Sequence, residues 1–253
     1  MTTLMVIPAR KGSKSIPSKN IKLFCGKPLI YWTIKIAIES EIGPVCVTTD
    51  SEEIRSIALS QGALAPFLRP EHLATDSTAT EPVLVHAYEY FTSNGMNISS
   101  LMLLTPTSPF RRLEDLKDAR KLFVSSEGCS SVISVREAIA NENPHWMLKV
   151  NGDNSITKFT GEPLTQMNTR RQDLPKVYIR NDYVYILKYQ NLYEKISNLY
   201  GPKPHLMISS EDRLDIDINT ARDWLIAETL FTNSRIFKDS LLTKKNTKEV
   251  CAE

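Results

Sequence analysis

The chain has 253 residues, 42% of them apolar and 24% charged, which suits one folded soluble domain with room for a small appendage. Those proportions exclude a collagen, a coiled-coil rod, a disordered tail and a disulfide-dense miniprotein. The balance of 31 basic against 29 acidic residues leaves +2, which offers no overall field for a nucleic-acid backbone.

Leu4–Ile7 reads as a buried strand closed by Pro8. Leu29–Ile38 reads as a helix with Ile30, Ile34, Ala37 and Ile38 on one face. Pro44–Thr49 is short and β-branched, hence a strand. Ser51 is placed to cap a following helix whose Glu52 and Glu53 suit its N-terminus, and Gln61-Gly62 ends it. Pro82–Phe91 is predicted helical, Leu101–Leu104 a strand, Leu113–Val124 a helix and Ser130–Val135 a strand. This alternation predicts βαβ units: an α/β fold with a mostly parallel sheet and helices on both faces.

The rhythm breaks at Arg136. Residues 137–180 are rich in Asn, Pro, Gly and Arg and lack a long periodic run, so they read as an excursion from a core of 1–136 and 181–232. Tyr183–Leu187 and His205–Ser209 read as further strands, Thr220–Phe231 as a helix, and 233–253 as a loose tail. The four cysteines form no CxxC pair and are expected as reduced thiols in the cytoplasm. No apolar run approaches bilayer length, the N-terminus does not read as a signal peptide, and no membrane or nucleic-acid partner is expected. Asn97-Ile98-Ser99 reads as an accidental glycosylation triplet. None of the four histidines has a metal-ligand partner at helical spacing.

In α/β sheets ligands gather beyond the carboxyl ends of the strands. Residues 1–38 hold seven cations and no acid, and Arg10–Asn20 places four cations, one glycine and three serines in the loop after the first strand. Such a loop can offer backbone N–H groups and fixed charge to a polyphosphate. A solvated basic loop has the same composition. It is neither a dinucleotide fingerprint nor a Walker A loop. Asp215 and Asp217 flank one apolar residue, so in extended chain both carboxylates face one way and suit Mg²⁺ bridging substrate phosphates; a solvated strand end reads alike. Leu68-Arg69-Pro70 and Pro106-Thr107-Ser108-Pro109 are stiff loops. Arg170-Arg171-Gln172-Asp173 fits either a carboxylate clamp or a surface ion-pair cluster.

Together these segments resemble the CMP-sialic acid synthetases. The motifs are Ile7-Pro8-Ala9-Arg10-x-Gly12-Ser13-Lys14 with Lys19-Asn20, Leu68-Arg69-Pro70, Pro106-Thr107-Ser108-Pro109, Arg171-Gln172-Asp173-Leu174-Pro175 and Asp215-Ile216-Asp217, spread in order over about residues 4–230. The resemblance implies transfer of CMP from CTP to the anomeric hydroxyl of an acidic keto-sugar, with pyrophosphate leaving, Mg²⁺ as cofactor and a homodimer joined through residues 137–180. It implies that Arg10 and Lys19 bind the triphosphate and act in catalysis with Asp217. Ser13 would cradle phosphate oxygens, and Asn20, Arg69 and Thr80 would lie near the cytidine. Asp215 and Asp217 would hold the metal; Thr105, Arg171, Gln172 and Asn181 would face the sugar.

The chain departs from the family's pattern on the sugar side. Thr105 stands where Gln is frequent, and Arg180-Asn181-Asp182 stands where Pro-Asn-Gly is usual. Tyr183 follows where a small residue is common. In the first loop Lys11 and Ser15 replace glycines. These departures predict a nonulosonic acid other than plain N-acetylneuraminate, such as legionaminic or pseudaminic acid, or an eight-carbon keto-sugar acid. Rival readings are a same-fold nucleotidyltransferase with another substrate, a glycosyltransferase with a DxD metal site, and a non-catalytic sensor.

Overall fold

The computed structural model describes residues 2–193, 198–210 and 214–234. Strand β1 (Thr2–Pro8) is followed by a short hairpin of β2 (Leu23–Phe24) and β3 (Lys27–Pro28), then helix α1 (Leu29–Glu39), β4 (Val45–Thr48) and α2 (Glu52–Ser60). Next come α3 (Thr80–Ser93), β5 (Ile98–Leu103), α4 (Leu113–Ser125) and β6 (Ser131–Glu137). Strands β7 (Leu148–Val150), β8 (Ile156–Lys158), β9 (Tyr178–Leu187) and β10 (Pro204–Ile208) precede α5 (Ala221–Thr232).

Six strands form one sheet in the order β10-β6-β9-β5-β1-β4. Strand β1 lies parallel to β4, with Met5 opposite Val45, and parallel to β5, with Leu4 opposite Leu101; β9 runs antiparallel to β5. Side chains alternate along the strands, and the buried residues divide accordingly. Met5, Ile7, Val45, Val47 and Met102 join a cluster with Leu29 and Ile34 of α1, Ile54 of α2, Leu116 of α4 and Phe231 of α5. Leu4, Val6, Leu101 and Leu103 are equally buried but outside that cluster. They meet the opposite layer, where α3 supplies Val83, Leu84, Ala87 and Phe91. Helices therefore cover both faces, as the alternation predicts.

Ser51 caps α2, its Oγ accepting from the Ile54 N–H at 3.4 Å. Helix α3 begins at Thr80, two residues before the predicted start, because Glu81 and Pro82 both fit a first turn. The hairpin β2–β3 was not foreseen from the sequence. Cys25 and Gly26 at its tip both have positive φ, as a two-residue turn requires. Its buried Phe24 packs edge-on against Trp224 at 5.5 Å, and the Phe24 carbonyl accepts from Trp32 Nε1.

At the outer edge of the sheet, β4 exchanges backbone hydrogen bonds with Leu64: Val47 N–H donates to the Leu64 carbonyl, and Leu64 N–H to the Val45 carbonyl.

The chain divides into two compact units, one of residues 1–134, 182–207 and 214 onward, the other of 135–181 and 208–213. The second unit contains the two-stranded β7–β8 sheet, with Leu148 opposite Lys158, and short 3₁₀ turns. Lys158 is buried there and reaches Glu162 and the Gln166 carbonyl, while Leu148, Val150, Ile156 and Phe159 are exposed. Of the predicted tail only Asn233 and Ser234 belong to the described residues, so Cys251 lies outside them, as does Asp212. Among the described residues no helix is long and apolar enough to cross a membrane.

Candidate active site

Because β4, β1 and β5 are parallel, the loops that follow them emerge at the same sheet edge. There, in the first unit, lies a cleft of about 280 Å³ lined by Arg10, Gly12, Ser13, Lys19, Asn20, Arg69, Thr80 and Thr105. All the residues predicted to bind nucleotide thus meet in one cavity, together with Thr105. They come from the loop after β1, the segment before α3, the first turn of α3 and the loop after β5.

Several of them are held by their surroundings. Asn20 Nδ2 donates to the Arg10 carbonyl at 2.9 Å and folds the basic loop back on itself. Arg69 is buried, its guanidinium donating to the Thr48 hydroxyl and carbonyl, and burial brings its pKa down to about 10. A Cβ on Gly12 would meet nothing within 4 Å, and its φ is not left-handed. Gly12 is not required by the fold, and its backbone faces open space in the cleft. Arg10 and Lys14 both pair with Asp76, which also lines the cavity. The Arg10 hydrogen bond holds the Asp76 carboxyl below its usual range.

Lys19 links the cleft to the predicted metal carboxylates. Its Nζ donates to the Ile218 carbonyl at 2.8 Å, and the Ile218 N–H donates to the Thr107 carbonyl at 2.9 Å. Burial lowers the Lys19 pKa and the nearby Asp217 carboxylate raises it. Asp217 Oδ2 accepts from Asn219 Nδ2, while its Oδ1 is buried and has no hydrogen-bond partner. A buried, unsatisfied carboxylate oxygen costs about 1–3 kcal/mol, so an external cation is the chemistry this atom fits. Among the described residues no group of three or more His, Cys, Asp or Glu could hold a metal alone.

One determinant escaped the sequence reading. Arg111, 1% exposed, donates to the Thr33 hydroxyl at 3.1 Å, the Thr105 carbonyl at 3.0 Å, the Asp182 carbonyl at 3.2 Å and the Tyr183 carbonyl. Desolvation lowers its pKa to about 10, opposed first by Asp115. It ties the loop after β5 to the bend in β9. That bend explains one departure: Asp182 has φ +53°, a left-handed conformation that favours Gly and that Asp tolerates better than most residues. The Thr105 hydroxyl donates to the Asp182 carbonyl at 3.1 Å.

Three sugar-side residues lie in the second unit. Arg171 and Gln172 are exposed on a 3₁₀ turn. There Arg170, not Arg171, makes a bidentate pair with Asp173. Asn181 is buried and donates to the Ser209 hydroxyl at 2.8 Å.

Residues 4–193 match the family described as Cytidylyltransferase. The chain belongs to the cytidylyltransferase family. It is 33% identical over 231 residues to a CMP-N,N'-diacetyllegionaminic acid synthase of Legionella pneumophila, covering 91% of this chain and 96% of that one. It is 32% identical over 222 residues to an N-acylneuraminate cytidylyltransferase of Escherichia coli, of which it spans half. A solved CMP:2-keto-3-deoxy-manno-octonic acid synthetase complexed with CTP shares the fold, at a TM-score of 0.66 and 15% identity over 92% of this chain and 99% of that one. The resemblance to the CMP-sialic acid synthetases, drawn from the motifs, is borne out by these relatives. So is the reading of this cytidylyltransferase as a CTP-dependent enzyme.

Proposed function

We propose that this cytidylyltransferase transfers CMP from CTP to the anomeric hydroxyl of a nonulosonic acid of the legionaminic type. The observation that carries this is the cleft in which Arg10, Ser13 and Lys19 meet, with Lys19 tied to the segment bearing Asp217. The sugar hydroxyl oxygen attacks the α-phosphorus. The new O–P bond forms as the bond to the β-phosphate bridging oxygen breaks, and pyrophosphate carries away that electron pair. The hydroxyl proton passes to a carboxylate of the Asp215–Asp217 pair.

Arg10 and Lys19 offset charge on the α-phosphate and on the departing pyrophosphate, and Ser13 and the Gly12 backbone cradle phosphate oxygens. Asn20, Arg69 and Thr80 border the cytidine. A bound Mg²⁺, held by Asp215 and Asp217, would neutralise charge on the phosphate oxygens. Thr105, Arg171, Gln172 and Asn181 are assigned to the sugar. Near-complete mutual coverage with the Legionella relative supports a legionaminic-type acceptor, and the altered sugar-side residues support an acid other than N-acetylneuraminate. The exposed apolar set Leu148, Val150, Ile156 and Phe159 in the second unit supports a homodimer.

The test is pyrophosphate release with CTP and Mg²⁺ over a panel of legionaminic, pseudaminic, N-acetylneuraminic and eight-carbon keto-acid sugars, with other nucleotides as controls. Release with CTP and the legionaminic acid, well above N-acetylneuraminate, is expected. Preference for another acid would overturn the acceptor assignment, and silence with every acid would overturn the transfer itself.

A further inference from the structure

The segment 214–219, which carries Asp215 and Asp217, is neither helix nor strand. Its geometry depends on individual contacts. At its far end Ile218 is held twice, by the Thr107 carbonyl and by Lys19 Nζ. At its near end the Leu214 carbonyl accepts from the Tyr183 hydroxyl. Tyr183 is fully buried, and its own carbonyl is a partner of the buried Arg111. A chain of two hydrogen bonds thus runs from the guanidinium through Tyr183 to the residue next to Asp215.

We propose that Tyr183 is a positioning residue for the metal carboxylates. Its hydroxyl fixes the Leu214 end of the segment while Lys19 and Thr107 fix the Ile218 end. Asp215 and Asp217 are thereby ordered before nucleotide and cation arrive, so less ordering cost falls on binding. This inference rests on the proposed role of the two carboxylates, and its test separates the two.

The test uses the full chain and Tyr183→Phe, which keeps the buried ring and removes one donor. Hydrogen exchange reads the segment itself. The Ile218 amide is expected to exchange about fivefold faster in Tyr183→Phe, the scale of one neutral hydrogen bond, with the amides of β1 and β5 unchanged. Mn²⁺ binding in the presence of CTP, followed by electron paramagnetic resonance, is expected to weaken by a similar factor, with the KM for CTP at saturating metal unchanged. A melting curve establishes that the variant is folded.

Unchanged exchange at Ile218 would overturn the proposal. Faster exchange with unchanged Mn²⁺ affinity would also overturn it, since Tyr183 would then be structural only. If wild type with CTP binds no Mn²⁺, the carboxylates are not metal ligands, and both the reading and the inference fall. If wild type binds Mn²⁺ and Asp217→Asn does not, the reading stands and Tyr183→Phe alone decides the inference.

Discussion

The two units differ in where they place their polar and apolar groups. In the first, aliphatic and aromatic side chains fill both faces of the sheet, and the buried charges Arg69 and Arg111 are satisfied by carbonyls and hydroxyls. In the second, Lys158 and Asn143 are buried while Val150 and Phe159 are 65% and 63% exposed. A region of this size has too little interior to exclude water by itself. The first unit is thus organised inward, around a cleft fixed by its own packing. The second is organised outward, with large apolar side chains exposed at its surface.

Variants in each unit should therefore fail in different ways. The largest effect is expected from Lys19→Ala, which removes a cation from the cleft and its hold on Ile218. Turnover should fall roughly 10²–10³-fold, the range for removing a transition-state donor, with the oligomeric state unchanged by light scattering. Retained turnover would show that Lys19 is only a tether. Next comes the double change Val150→Asp with Phe159→Asp. Two carboxylates on this exposed apolar set should convert the proposed homodimer to monomer in light scattering, while CTP binding by the cleft is kept. A variant that remains dimeric would place the contact elsewhere.

The smallest effect, with the opposite sign, is expected from Asp76→Asn. Asp76 pairs with Arg10 and Lys14, the cations a triphosphate would seek. Removing its charge should lower the KM for CTP by about two- to threefold, as suits an exposed pair. Because Arg10 depresses the Asp76 carboxyl, the pair is intact at neutral pH and is lost only as pH falls through that lowered value. The difference between wild type and variant should therefore shrink in acid. A raised KM would mean that Asp76 helps to hold the nucleotide.

Much of the first unit was legible in the sequence because its strands are continuous apolar runs and its helices have clear faces. The cleft was legible because a basic loop after a first strand has one natural location in a parallel sheet. Other features were hidden for physical reasons. The β2–β3 hairpin is two residues a side, below any periodicity. Its turn is carried by Cys25 beside Gly26, and Cys is not a usual turn residue. Arg111 belongs to no motif of its own in the sequence, although its place after Pro109 and the buried Phe110 was a signal. Asp182 concealed a left-handed bend that a glycine would have announced. In the second unit the outward Leu148, Val150 and Ile156 lie on three-residue strands, too short for alternation to show, and Phe159 sits in the turn after one.

The single-residue pairing of Leu64 with β4 has a further consequence. An edge strand offers open N–H and C=O groups to any passing chain, and stacked edges are a route to fibres. Here Leu64 takes up the Val45 carbonyl and the Val47 N–H. Ala63 and Ala65 beside it are buried, so the cover is anchored and cannot readily lift. With that carbonyl and that N–H already paired, a strand from a neighbouring molecule finds no open partner at those two positions of β4.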